Sequence, residues 1–134
     1  MTSTTAKGQK TILLVDDEDY LVLFLGKLLS GEGYNLITAS NGRQAVDILE
    51  ANPGGIDLVL MDITMPVMSG IEAFFEISRL DQNMPILLMS AYSRESLNCL
   101  GYPHFIQKPM LPAELFNAIR QTIVEFASCS NKSA

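Results

Sequence analysis

Five side chains in this sequence are of the right types to handle a phosphoryl group beside a metal ion. Asp16 and Asp17 close an apolar run, Ile12 to Val15. Asp62 closes a second run, Ile56 to Met61, which has one acid within it at Asp57. Ser90 follows a third run, and Lys108 sits before Pro109 after a fourth. Carboxylates gathered at one point repel a bare phosphate and favour a bound cation. An all-oxygen donor set suits Mg2+, which keeps water and phosphate oxygens among its ligands, with Mn2+ as its substitute. Asp16, Asp17 and Asp62 are the expected metal carboxylates, joined by the backbone carbonyl of Thr64. A carboxylate facing that cation can also be a nucleophile, and Asp62 is the candidate. A lysine and a hydroxyl nearby are what a transferring phosphoryl group needs.

Such an arrangement requires elements that bring distant residues to one edge. Strands are expected at Thr11–Val15, Asn35–Ala39, Asp57–Met61, Pro85–Met89 and His104–Ile106. Helices are expected at Glu18–Ser30, Gly42–Ala51, Ser69–Leu80, a short piece near Arg94–Cys99, and Pro112–Ala127. Alternation of this kind implies an α/β fold, a parallel sheet with helices on both faces. In the order 2-1-3-4-5 the first and third strands are neighbours, so their acids meet at the carboxyl edge where such sheets bind ligands. Asn41 and Ser69 are good N-caps, and Gly31 with Gly33 marks the end of the first helix. Glu18 and Asp19 suit the start of that helix, where acids complement its dipole.

The 134 residues suit one domain. Residues 1–10 read as a flexible lead-in, 11–127 as the domain and 128–134 as a flexible tail. Lys and Arg number 9 against 15 Asp and Glu, a net charge of −6, which opposes non-specific nucleic-acid binding and a polybasic membrane anchor. No secretory signal or membrane span is recognisable, and Cys99 and Cys129 read as free thiols of a cytoplasmic protein.

The segments ILLVDDE (Ile12–Glu18), LVLMDITMPVMSGIE (Leu58–Glu72), PILLMSAYS (Pro85–Ser93) and FIQKP (Phe105–Pro109) resemble, in order and type, the receiver domains of two-component response regulators. The resemblance spans residues 10 to 126. It implies a flavodoxin-like, doubly wound, five-stranded sheet. It also implies that Asp62 accepts a phosphoryl group from a histidine kinase or histidine phosphotransfer protein. Asp16 and Asp17 would hold Mg2+, Ser90 and Lys108 would contact the phosphoryl oxygens, and Ser90 with Phe105 would form the switch. Such a domain catalyses only its own phosphorylation and dephosphorylation. It is either a free-standing regulator or the receiver part of a hybrid sensor kinase, as a monomer or weak dimer. A degenerate receiver, acting only as an interaction module, is the alternative. An aspartyl phosphatase would want an acid where Thr64 stands, an FMN binder would want hydroxyls and amides in place of Asp16-Asp17, and no glycine-rich P-loop is present.

Two positions depart from the family. Phe105 stands where many members carry tyrosine. Lys108 follows Ser90 by only 18 positions, about one helical turn short. The fourth helix is therefore expected to be shortened. In the first helix Leu21, Phe24, Leu25 and Leu28 read as a core stripe. Val22 and Leu23, outside it, read either as scattered surface apolarity or as a docking patch for a histidine-bearing helix.

Overall fold

The computed structural model describes residues 9–65, 67–91 and 104–133, with side chains through Phe126. Five strands form one parallel sheet: β1 (Thr11–Val15), β2 (Asn35–Ala39), β3 (Leu58–Asp62), β4 (Ile86–Ser90) and β5 (Phe105–Gln107), in the order β2-β1-β3-β4-β5. Four helices are present among the described residues: α1 (Asp19–Gly31), α2 (Gly42–Ala51), α3 (Gly70–Leu80) and α4 (Pro112–Ser133). The expected short helix at Arg94–Cys99 lies outside the described residues.

The strands read as unbroken apolar runs because helices cover both faces of a parallel sheet. Every residue of β3 and β4 is buried. Alternation along each strand sends neighbours to opposite faces. Leu13, Val15, Val59, Met61 and Leu88 pack with Ala45 and Val46 of α2 and Ala73 and Ile77 of α3. Ile12, Leu14, Leu58, Leu60 and Met89 pack with Leu25 and Leu29 of α1 and Leu115 and Ile119 of α4. Each such aliphatic side chain, fully buried, contributes roughly 1.5–3 kcal/mol before entropy is counted. The two cores clamp the sheet, so its carboxyl edge is a rigid platform.

Local signals set the helix starts. The Asn41 side chain accepts the Gln44 N–H, capping α2. Ser69 and Glu72 form a reciprocal capping box on α3.

Several boundaries differ from expectation. β3, β4 and β5 each end one residue later, so Asp62 and Ser90 are the last residues of their strands. The ladder explains the shift: the Ile63 N–H still bonds the Met89 carbonyl and the Lys108 N–H bonds that of Ser90. Gln9 and Lys10, assigned to the lead-in, are tied down. The Gln9 side-chain amide donates to the Gly33 carbonyl and the Asn35 N–H to that of Lys10. α4 continues to Ser133 instead of stopping at Ala127. No glycine or proline follows Phe126, so nothing in the chain breaks the helix there.

The α1 stripe also needs correction. Its buried centre is Leu25 and Leu29, one helical repeat apart. Val22 packs against that core beside Leu21 and Leu28. Phe24 falls outside and is exposed, as are Tyr20 and Leu23. Among the described residues no helix is long and apolar enough to cross a membrane.

Candidate functional site

β1 and β3 are adjacent, with Val15 paired to Met61, so the residues that follow each end at the same edge. Asp16 extends β1 by one further bond, its N–H donating to the Ala39 carbonyl at 3.1 Å. Its side chain is buried. One carboxylate oxygen, Oδ1, accepts the Glu18 N–H at 3.0 Å, holding the turn into α1. The other, Oδ2, accepts from Lys108 Nζ at 3.2 Å. Asp17, next along, is exposed. Asp62 ends β3 and is buried. Carboxylate oxygens of Asp16, Asp17 and Asp62 all lie within 4.8 Å of one another.

Lys108 reaches this cluster from the loop after β5. Its N–H bonds the Ser90 carbonyl at 2.7 Å, which fixes where its side chain starts. Nζ then lies 3.5 Å from Asp62 Oδ1 as well as beside Asp16. Ser90 is buried at the end of β4. The sequence-predicted residues Asp16, Asp17, Asp62, Ser90 and Lys108 therefore all reach one edge.

Among the described residues one lysine stands against three carboxylates. Burial pushes the Asp62 carboxyl above its ordinary value; Lys108 pulls it back, Asp16 pushes it up again, and bonds from Lys108 and the Thr64 backbone lower it in part. Burial alone would lower the Lys108 ammonium. The Asp62 and Asp16 carboxylates more than offset that and hold it above the usual lysine value. Negative charge exceeds positive charge in a cramped, partly buried space. Three carboxylates at this spacing, all oxygen donors, fit a hard divalent cation such as Mg2+.

The loop after Asp62 folds tightly over the strand end. The Gly70 N–H bonds the Ile63 carbonyl at 2.8 Å. A Cβ on Gly70 would overlap the Asp62 carbonyl oxygen and lie 2.7 Å from Ile63 Cα, so a side chain is excluded there. Val67, in the same loop, takes φ 69 and is exposed. Phe105 is buried in the core shared with α2 and α3. His104, beside it, lies 3.4 Å from the Glu125 carboxylate and against the Phe126 ring, in keeping with a structural place.

Sequence reasoning missed two features. Asp57 serves the opposite end of the sheet, accepting the Thr11 N–H at 2.7 Å. Val67 gave no sign of its left-handed backbone, since glycine or asparagine is the usual marker.

A family model described as the response regulator receiver domain matches residues 12–120. The chemotaxis protein CheY of Thermotoga maritima is 36% identical over 118 residues, covering 84% of this chain and 96% of that protein. Among solved structures, the CheX–CheY–BeF3–Mg2+ complex from Borrelia burgdorferi aligns with TM-score 0.79 and 34% identity, over 87% of this chain and 91% of that one. The response regulator TrrA from Thermotoga maritima, in complex with Mg2+ and BeF, aligns with TM-score 0.76 and 34% identity, over 85% and 99%. With its acidic cluster at the edge where β1 and β3 end, the chain belongs to the response regulator receiver domains of two-component signal transduction.

Proposed function

We propose that Asp62 accepts a phosphoryl group and that the domain reports this by changing conformation. The observation that carries the reading is the meeting of Asp16, Asp17, Asp62 and Lys108 at one strand edge, with Lys108 Nζ 3.2 Å from Asp16 and 3.5 Å from Asp62. The donor is a phosphohistidine of a histidine kinase or phosphotransfer protein, or a small acyl phosphate. An Asp62 carboxylate oxygen attacks phosphorus in line. The new O–P bond forms as the donor's N–P bond breaks with its electron pair returning to the imidazole, or, for an acyl phosphate, as its O–P bond breaks with the pair left on the departing carboxylate. Lys108 exchanges its carboxylate contacts for phosphoryl oxygens and offsets their charge. The Ser90 hydroxyl serves as a further donor to those oxygens.

Mg2+ would be held by the carboxylates of Asp16, Asp17 and Asp62 and the backbone carbonyl of Thr64. When bound, it neutralises charge on the phosphoryl group and its acceptor. The domain turns over no separate substrate; it is an acceptor whose output is a shift between two packings. Ser90 and Phe105 are the switch residues, Phe105 acting by packing alone because it has no hydroxyl.

The docking surface follows the corrected α1 face. Leu23, Phe24 and Tyr20 are exposed on α1, which begins two residues after Asp17. An apolar cavity of about 190 Å3 lies between Leu21, Phe24 and Leu25 of α1 and Lys108, Pro109 and Met110. A helix bearing the donor histidine would bury these side chains while its imidazole faces Asp62. The cytoplasm is the compartment in which such a partner works.

Incubation with acetyl phosphate and Mg2+ tests the reaction. Wild type gains one acid-stable, base-labile phosphoryl group and Asp62→Asn gains none. Labelling of Asp62→Asn at the wild-type level would contradict the assignment.

A further inference from the structure

Gly42 opens α2 and lies against the loop that follows Asp62. Its N–H is among the first of the helix, which no intrahelical carbonyl can satisfy. It donates instead to the Met68 carbonyl at 3.2 Å. The approach leaves no room for a side chain. A Cβ on Gly42 would lie 2.7 Å from that carbonyl oxygen, 2.9 Å from Ala73 Cβ and 3.0 Å from Met68 Cγ. The first of these is backbone, so it yields only if the loop moves.

The same residue is joined to the other acidic strand end. β2 runs through Ser40 and Asn41 directly into α2, and its last carbonyl, at Ala39, accepts the Asp16 N–H. The start of α2 thus ties the strand end carrying Asp16 to the loop leaving Asp62. The middle of that loop is strained, since Val67, a β-branched residue, is held at φ 69. A strained segment keeps its geometry only when its ends are fixed. The Gly70–Ile63 bond closes the loop, the Ile63 N–H ties its start to Met89, and the Met68 carbonyl ties the side nearest α3 to Gly42. Within the loop lies Thr64, whose backbone is placed to pull the Asp62 carboxyl down.

From this geometry we infer that Gly42 is a positioning residue for phosphoryl acceptance. It touches neither the phosphoryl group nor Asp62. It lets α2 close on the Met68 carbonyl, and so holds the loop in the shape that presents Thr64 to Asp62. The inference rests on Asp62 being the acceptor.

Gly42→Ala is the direct test, with Val46→Ala as a control that opens a cavity in the same helix and leaves the backbone bond from Gly42 to Met68 in place. Gly42→Ala should slow labelling by acetyl phosphate about tenfold and weaken Mg2+ binding, measured by calorimetry, roughly tenfold. Val46→Ala should lower the melting temperature and leave both within twofold. A folded Gly42→Ala protein that matches wild type in rate and Mg2+ affinity overturns the inference. So does Val46→Ala losing as much as Gly42→Ala, because the effect is then general destabilisation. Amide exchange in wild type gives a measurement that needs no variant. The Gly42 N–H should be protected, and exchange at the rate of an unbonded amide overturns the inference. If wild type takes no phosphoryl group at all, the acceptor assignment fails, whatever Gly42→Ala does.

Discussion

Asp62 is held between opposing demands. As the proposed acceptor it must be ionised to attack phosphorus, yet burial and Asp16 favour its neutral form, and only Lys108 and the backbone oppose them. Its folded-state value lies above the ordinary 3.8, so the folded protein binds this proton more tightly than the unfolded chain. Stability from this group therefore falls as pH rises from 3.8 to the raised folded value, and stays lower above it. That is the reverse of a salt-bridged carboxylate. Asp62→Asn should accordingly be more stable than wild type at neutral pH without divalent cations, by roughly 1–2 kcal/mol. Urea unfolding across pH checks this, and the advantage should vanish below both values. A wild type more stable than Asp62→Asn at pH 7 would mean that Lys108 overcompensates the cluster. The acids and Lys108 were legible in the sequence because each stands at the end of an apolar run. Val67 was not, because its backbone is imposed by loop closure and its side chain gives no sign of it.

Elements were legible where capping chemistry announced them. Asn41 and Ser69 fixed the starts of α2 and α3, and α2 has the expected bounds. The strand ends shifted by one residue because ladder bonds extend as far as a partner strand permits, which is a property of the neighbour. In α1 every residue from Tyr20 to Leu25 is apolar, so the sequence alone offers several stripes, and packing on the sheet selects Leu25 and Leu29. This choice changes which substitutions test docking. Leu23→Glu or Phe24→Glu should slow phosphotransfer from a phosphohistidine partner about tenfold or more, the cost of an interface anchor. Acetyl phosphate labelling should be unchanged, since a small donor needs no docking face. Val22→Glu should instead destabilise the fold, because Val22 packs against the core. Stopped-flow transfer beside melting curves separates the two. Equal slowing with both donors for Leu23→Glu would remove α1 from the docking surface.

At the scale of the whole molecule, chemistry depends on topology. Asp16, Asp62 and Lys108 are far apart in the chain and meet only because β1, β3 and β5 run parallel and end at one edge. The order β2-β1-β3-β4-β5 was legible because strands and helices alternate and crossovers are right-handed. The junction of α2 with the Asp62 loop was not, since it is a long-range backbone contact with no side-chain signature. The phosphoryl acceptance proposed for Asp62 is therefore assigned to the folded sheet edge, and its position within the chain is the most direct test. Wild-type protein incubated with acetyl phosphate and Mg2+, trapped with borohydride and digested, should yield one modified peptide, altered at Asp62, and none when Mg2+ is chelated. Modification at any other residue, or at Asp62 to the same extent without Mg2+, would contradict the account.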